Sequence, residues 1–348
     1  MSENTELVLV TGGTGYVAGR CIADLLHYGY AVRTTVRSAA KESVVRDAVA
    51  AGIDPGERLS FAHVDLTRDE GWHAAMEGVD HVLHVASPLG LSGGDAQVIV
   101  DTARGGTLRV LEAAARAGAR RVVMTSAANA ASPSSYADDA VTDETLWTDP
   151  DDPTLIPYRR SKTMAERAAW DFAAAHPDGP EITTVLPGAV FGPILSDTTI
   201  GSVGIIAALL TGKMPGIPRI GLEVVDVRDL ADAHIRAMTT PQAAGERFLA
   251  TGEFLWMADI AQALREELGA AAANVTAFQL DDDVVRKAAE TDPAMRELLP
   301  ALGRRSRHST DKARRLLGWQ PRPGREAVAD CARSLIAHGV VPAAPTDA

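Results

Sequence analysis

Thr11-Gly12-Gly13-Thr14-Gly15-Tyr16-Val17-Ala18-Gly19 is the stretch that decides the fold of this chain. It directly follows a short apolar run, Leu7 to Val10. It opens a segment whose apolar residues Val17, Ile22, Leu25 and Leu26 fall at helical spacing. A strand, a glycine-rich turn and a helix start in that order make a phosphate-binding loop. Gly12 permits the tight turn, and Gly15 lets the backbone approach a pyrophosphate. The helix N-terminus adds unpaired N–H groups and the positive end of its dipole. Ala18 is the small residue that lets helix and strand pack closely. No Lys-Ser/Thr pair follows, which excludes a P-loop. Gly12, Thr14, Gly15, Tyr16 and Val17 are the candidate contacts to a dinucleotide. The competing reading, a glycine-rich turn that binds nothing, fits the placement and spacing less well.

Outward from this loop the chain alternates strand and helix. Strands are expected over Ala31–Arg37, Leu59–Asp65, His81–Ala86, Arg121–Ser126 and Ile182–Leu186. Helices are expected over Ala39–Ala51, Asp69–Glu77, Asp95–Ala117 and Tyr158–Ala175, with Gly105-Gly106 weakening the long one. Such a series gives an α/β fold, a doubly wound parallel sheet of the Rossmann type with helices on both faces. After Pro187 glycine and proline cluster and the rhythm breaks. A helix is expected over Ile200–Leu210, a strand over Glu223–Val227, a helix opened by Asp229 as its cap, and a strand over Arg247–Thr251. The expected organisation is a dinucleotide-binding unit over 1–186, with 223–250 returning to it. A smaller, discontinuous α+β substrate-binding cap then comprises 187–222 and 251–340.

Two further features carry chemistry. The second strand ends in Arg37, where an acidic residue would hold the ribose 2′-hydroxyl of NAD. A guanidinium there suits a 2′-phosphate and hence NADP(H); a solvated surface arginine is the competing reading. Tyr158 and Lys162 stand four residues apart at a helix start, on one face. A free tyrosine near pKa ~10 is a poor acid–base group at neutral pH, and a nearby ammonium tunes it by favouring the phenolate.

Taken with Asp65-Leu66, His84-Val85-Ala86-Ser87-Pro88, Thr125-Ser126, Pro187 to Pro193, Val225 to His234 and Leu317 to Pro321, these motifs resemble the extended short-chain dehydrogenase/reductase family. The branch they are most similar to is the dihydroflavonol reductase/cinnamoyl-CoA reductase-like group of aldehyde and ketone reductases. The likeness covers nearly the whole chain. It implies that Asp65 and Leu66 flank the adenine and that Val85, Ala86 and Ser87 line the cofactor. It also implies that Lys162 holds the nicotinamide ribose, that Pro187 and Val190 border the nicotinamide, and that Arg37 binds the 2′-phosphate. The family's Thr-Ser-Ser run ends in a carbonyl-polarising serine; here Ala127 takes that place, and Ser126 is the nominated substitute. An alternating strand would turn Ser126 aside unless the strand bends at its end. The Asn-Trp-Tyr-Cys-Tyr-type segment of cinnamoyl-CoA reductases is Leu155-Ile156-Pro157-Tyr158 here, and Ser132 stands where plant dihydroflavonol reductases carry Asn or Asp.

The 348 residues, 46% hydrophobic and 23% charged, suit a globular chain, and the net charge of −12 argues against nucleic acid as a partner. Cys21 and Cys331 read as free thiols. Acid at Glu3 and Glu6 and the lack of a membrane-length apolar run lead to the expectation of a soluble, cytoplasmic monomer or homodimer. The nine histidines show no metal-ligand spacing, so no metal is expected. Gly90-Leu91-Ser92-Gly93-Gly94 matches a hydrolase elbow, but Ser87-Pro88-Leu89 separate it from the strand, so it reads as a loop. Three activities compete: an NADPH-dependent aldehyde or ketone reductase on a small-molecule substrate, a nucleotide-sugar epimerase or dehydratase with bound NAD, and a non-catalytic NADP sensor. Arg37 speaks against the second, and the retained Tyr158/Lys162 pair against the third.

Overall fold

The computed structural model describes residues 6–88, 96–133, 139–197 and 201–342. The first half alternates β1 (Leu7–Val10), α1 (Tyr16–His27), β2 (Ala31–Val36), α2 (Glu42–Ala50), β3 (Leu59–His63), α3 (Trp72–Met76), β4 (His81–His84), α4 (Ala96–Ala117) and β5 (Arg121–Thr125). A short β6 (Asp139–Thr142) precedes α5 (Pro157–Ala175) and β7 (Glu181–Pro187). Then come β8 (Ala189–Phe191), α6 (Val203–Leu210), β9 (Gly221–Asp226), α7 (Val227–Thr239), β10 (Arg247–Ala250), β11 (Glu253–Trp256) and α8 (Met257–Leu268). The last elements are α9 (Asp282–Ala288), α10 (Pro293–Leu298), β12 (Arg305–His308), α11 (Asp311–Leu317) and α12 (Gly324–Ala337).

Seven parallel strands form the main sheet in the order β10-β7-β5-β4-β1-β2-β3. The chain builds outward from β1 to β3, then returns to the other side of β1 with β4. The connections after β1 and β4 therefore leave in opposite directions and open a crevice at the carboxyl ends of the strands, where doubly wound sheets take ligands. Side chains follow the two-residue pleat. Val8 and Val10 pack in the layer of α1 and α7, whereas Leu9 packs in the layer of α3, α4 and α5. On β5, Val123 joins the first layer and Val122 and Met124 the second.

A separate core lies outside this sheet, with Phe191, Ile206, Leu209, Ile260, Leu264 and Leu335 fully buried in it. Each such side chain contributes about 1.5–3 kcal/mol. Its small sheet has the order β11-β9-β8, and a parallel β6–β12 pair ties the segment after β5 to the C-terminal region.

Several boundaries differ from expectation. The strand expected over Glu223–Val227 is β9, and it belongs to the small sheet. The chain rejoins the main sheet with α7, which packs on α1, and with β10. The helix expected to open at Asp229 opens at Asp226, whose carboxylate accepts from the Arg228 N–H at 2.8 Å. Val227 and Leu230 are already buried, so the core-facing stripe begins before Asp229. Asp229 instead binds the Arg322 N–H at 2.7 Å and its guanidinium. The helix expected over Asp69–Glu77 is only Trp72–Met76, and that over Ile200–Leu210 is Val203–Leu210. Helix α4 runs unbroken through Gly105-Gly106. A Cβ at Gly106 would lie 3.0 Å from the Leu66 Cβ, so the glycine is there for close packing. The hydrolase-like stretch 90–94 lies outside the described residues.

Candidate active site

The glycine-rich loop is built as a cradle. Gly12 has φ +76°, and a Cβ there would stand 2.9 Å from the Ala86 Cβ. Its N–H donates to Thr35 Oγ1 at 2.8 Å, and the Gly13 N–H to the Thr35 carbonyl at 3.0 Å. Thr11 Oγ1 accepts from the Val85 and Ala86 N–H groups at 3.0 and 2.9 Å, so the loop after β1 is sewn to the loop after β4. Helix α1 begins at Tyr16 with no side-chain cap on its first turn, which leaves its N–H groups for an anion. Ala18 is buried against the sheet. The Tyr16 hydroxyl donates to the Gly192 carbonyl at 2.8 Å and so reaches across to the segment after β8. A crevice beside Thr14 and Gly15 has Val44 and Val45 of α2 on one wall and Ile194 and Leu195 on another. The uncapped helix start and the absence of room for a Cβ at Gly12 fit the pyrophosphate of a dinucleotide.

Arg37 follows directly on β2 and is exposed. Asp65 follows β3, on the strand beside it. Bonds from the Thr67 hydroxyl and N–H, at 2.7 and 2.8 Å, hold the Asp65 carboxyl below the usual range, and Arg37 adds to this. Register places Val85, Ser126 and Leu186-Pro187 on one edge of the sheet, because His84 pairs with Met124 and Thr125 with Val185. Val190 lies in the middle of β8, paired with Val225, and packs against the main core.

Helix α5 starts at Pro157, a residue suited to the first turn of a helix. This sets Tyr158 and Lys162 one turn apart. Burial holds the Tyr158 hydroxyl above its usual value. Burial also pushes the Lys162 ammonium down to about 8, opposed by Glu166. Lys162 Nζ donates to the Thr125 carbonyl at 3.1 Å. Burial is the cause of the upward shift, so the tyrosine keeps its proton at neutral pH.

Ser126 is corrected as a carbonyl-polarising group. It is 1% exposed and its hydroxyl donates to Glu166 Oε2 at 2.7 Å, toward α5, as the pleat requires. Thr125 turns the other way, and its hydroxyl is 2.7 Å from His234 Nε2. His234 Nδ1 donates to the Leu230 carbonyl at 2.8 Å, so Nε2 accepts and the Thr125 proton is committed. The two hydroxyls at the end of β5 are thus turned to opposite faces of the sheet and bonded there.

The residues that sequence reading missed are those that hold the site from behind. Glu166, wholly buried, accepts from Ser126, from Thr184 Oγ1 at 2.7 Å and from Arg247 Nε at 2.8 Å. Its position one turn after Lys162 was a usable signal; the partner Arg247, 81 residues away, was not. His84 bonds Thr11 Oγ1 at 3.0 Å and Thr107 Oγ1 at 3.3 Å, a packed histidine rather than a base. Among the described residues no cluster suits a metal ion, and no helix is long and apolar enough to cross a membrane.

Burial, with Lys162 nearby, pushes His84 down to about 3; burial likewise pushes His234 down to about 4. Both fold neutral, whereas in the unfolded chain they titrate near ~6.5. Their contribution to stability is complete above that value and is lost as the pH falls toward 4 and 3, because the unfolded chain then binds the extra protons. Thermal melts from pH 7 to pH 4 should show a loss on the order of several kcal/mol. His234→Gln should flatten part of that slope; an unchanged slope would remove His234 as its source.

The chain matches the NAD dependent epimerase/dehydratase family over residues 8–250 and belongs to it, within the extended short-chain dehydrogenases/reductases. It is 36% identical over 268 residues to cinnamoyl-CoA reductase 1 of Petunia hybrida, covering 76% of this chain and 78% of the relative. It is 34% identical over 269 residues to dihydroflavonol 4-reductase of Zea mays, covering 74% and 73%. Among solved structures, Gre2 from Candida albicans in complex with NADPH superposes with a TM-score of 0.80 at 25% identity, covering 96% and 99% of the two chains.

Proposed function

We propose that this chain reduces an aldehyde or ketone to the alcohol, and runs the reverse oxidation, with Tyr158 as proton donor and Lys162 as its partner. The observation that carries the reading is the Tyr158/Lys162 pair at the start of α5, beside the end of β5 and behind a built phosphate cradle. The chain is an NADP-dependent oxidoreductase, as the named reductases among its relatives support. When bound, NADP(H) supplies or takes the hydride. A Tyr158 that keeps its proton at neutral pH is in the state that reduction needs, and Lys162 offsets the charge left on it. Gly12, Thr14, Gly15, Tyr16 and Val17 hold the pyrophosphate in this reading. Asp65 and Leu66 flank the adenine, Val85, Ala86 and Ser87 line the cofactor, and Pro187 and Val190 border the nicotinamide. Lys162 also holds the ribose. The cap that covers the substrate is assigned to 187–226 and 251–340, with β9 in its small sheet.

The substrates named for the relatives are not carried over. Leu155-Ile156-Pro157 and Ser132 differ from the segments that would accompany them. The test is NADPH oxidation against benzaldehyde, isovaleraldehyde and ethyl pyruvate. No turnover of any carbonyl by folded, NADPH-binding protein would count against the reading. Arg37→Ala should raise the KM for NADPH about 10–100-fold, the worth of charge-assisted bonds to one phosphate, and leave that for NADH unchanged. An unchanged preference, or faster turnover with NADH in the parent chain, would remove Arg37 from the 2′-phosphate.

A further inference from the structure

The end of β5 presents no free hydroxyl: Thr125 serves His234, Ser126 serves Glu166, and Ala127 has none. The next hydroxyl along the chain is Ser132, one short helical turn further, and it heads a relay. Ser132 Oγ lies 3.0 Å from His308 Nε2 and 2.8 Å from the Ala128 carbonyl. His308 Nδ1 is bonded to Glu223 Oε2, and the His308 N–H donates to Glu223 Oε1 at 2.6 Å. The three residues come from the loop after β5, the end of β12 and the small sheet, so they meet where the small sheet adjoins the main one. Ser132 is 1% exposed, and the His308 and Glu223 side chains 6% and 9%. The Arg159 guanidinium donates to the Ser132 and Pro133 carbonyls at 3.4 and 3.2 Å, which ties this loop to the residue next to Tyr158.

Proton counting defines what the relay can do. Nδ1 faces a carboxylate and so carries a proton. The Ala128 carbonyl can only accept, so the Ser132 proton goes to it. Nε2 must then donate to Ser132 Oγ. A hydroxyl that receives a hydrogen bond is a stronger donor than an isolated one, more so out of water. Rotation of its O–H away from Ala128 would offer that proton to another oxygen.

We propose that Ser132, backed by His308 and Glu223, is the hydroxyl that polarises the substrate carbonyl oxygen in place of the one absent at Ala127. The proposal rests on the reductase reading above. Ser132 donates a hydrogen bond and loses no proton; the proton that ends on the alcohol comes from Tyr158. Ser132 is then the group that touches substrate, and His308 and Glu223 position it.

The experiment measures kcat and KM on the same three carbonyls, NADPH binding by fluorescence titration, and melting temperature. Ser132→Ala should lower kcat about 100-fold or more, as removal of an oxyanion donor does, with NADPH affinity unchanged. Ser132→Thr should retain most of the turnover. His308→Gln, which keeps a donor toward Ser132 but not the ring, should fall between the parent and His308→Leu. If Ser132→Ala keeps kcat within twofold, the proposal is overturned. It is equally overturned if the losses follow NADPH affinity or melting temperature rather than kcat, or if His308→Gln matches His308→Leu. Tyr158→Phe, run alongside, separates the two levels: full turnover in that variant sinks the reductase mechanism itself, whatever Ser132 does.

Discussion

Tyr158→Phe is expected to lower kcat for carbonyl reduction by about 10²–10⁴-fold, the range for loss of a positioned general acid. The affinity for NADPH should stay as it was. The hydroxyl sits one turn before Lys162 at the start of α5, with burial holding it above its ordinary value. It therefore stays protonated through the neutral range and can donate. Lys162, pushed down to about 8, has its ammonium complete below that pH and loses it above. Reduction by the parent chain should accordingly hold steady below about pH 8 and decline above it, because a neutral Lys162 no longer offsets the charge left on Tyr158. Stopped-flow NADPH oxidation from pH 5 to pH 10 on both chains checks this. Undiminished turnover in Tyr158→Phe would mean that the proton comes from elsewhere. A flat profile across pH 8 would detach Lys162 from the step.

The phosphate loop and the Tyr158/Lys162 pair were legible because both are local: each lies within one strand–turn–helix or one helical turn. The sheet was legible for the same reason, since its strands are short apolar runs separated by periodic helices. What stayed hidden depends on partners far apart in the chain. Asp226 rather than Asp229 caps α7 because of where the buried stripe begins, which two nearby aspartates do not reveal. Ser126 reads as a site residue by position, yet the pleat turns it to Glu166, and Glu166 is engaged by Arg247 from the far edge strand. Ser132 and His308 are 176 residues apart, and nothing local announces that they meet.

Glu166→Gln is expected to cost about 3–5 kcal/mol of stability, because it leaves a buried guanidinium without its counter-charge. Glu166 is wholly buried and Arg247 is 7% exposed, so water cannot take over. The other Arg247 contacts do not neutralise it. Nη1 donates to the Glu144 and Leu146 carbonyls at 2.6 and 3.0 Å, and the guanidinium carbon lies 3.6 Å from the Trp147 ring centroid. These orient the group, and the carboxylate supplies the charge. The pair also joins α5 to β10, the last strand of the sheet, so the variant should loosen the edge on which α5 rests. Replacing both residues, Glu166→Met with Arg247→Met, should recover the part of the loss due to the orphaned charge, while the Ser126 and Thr184 hydroxyls still lose their acceptor. Urea melts of the two single variants and the double one complete the cycle. If the double variant is as unstable as Glu166→Gln alone, the damage lies in packing around Ser126 and Thr184 rather than in an orphaned charge. If Glu166→Gln melts with the parent chain, the buried bridge is not what holds α5 to the sheet.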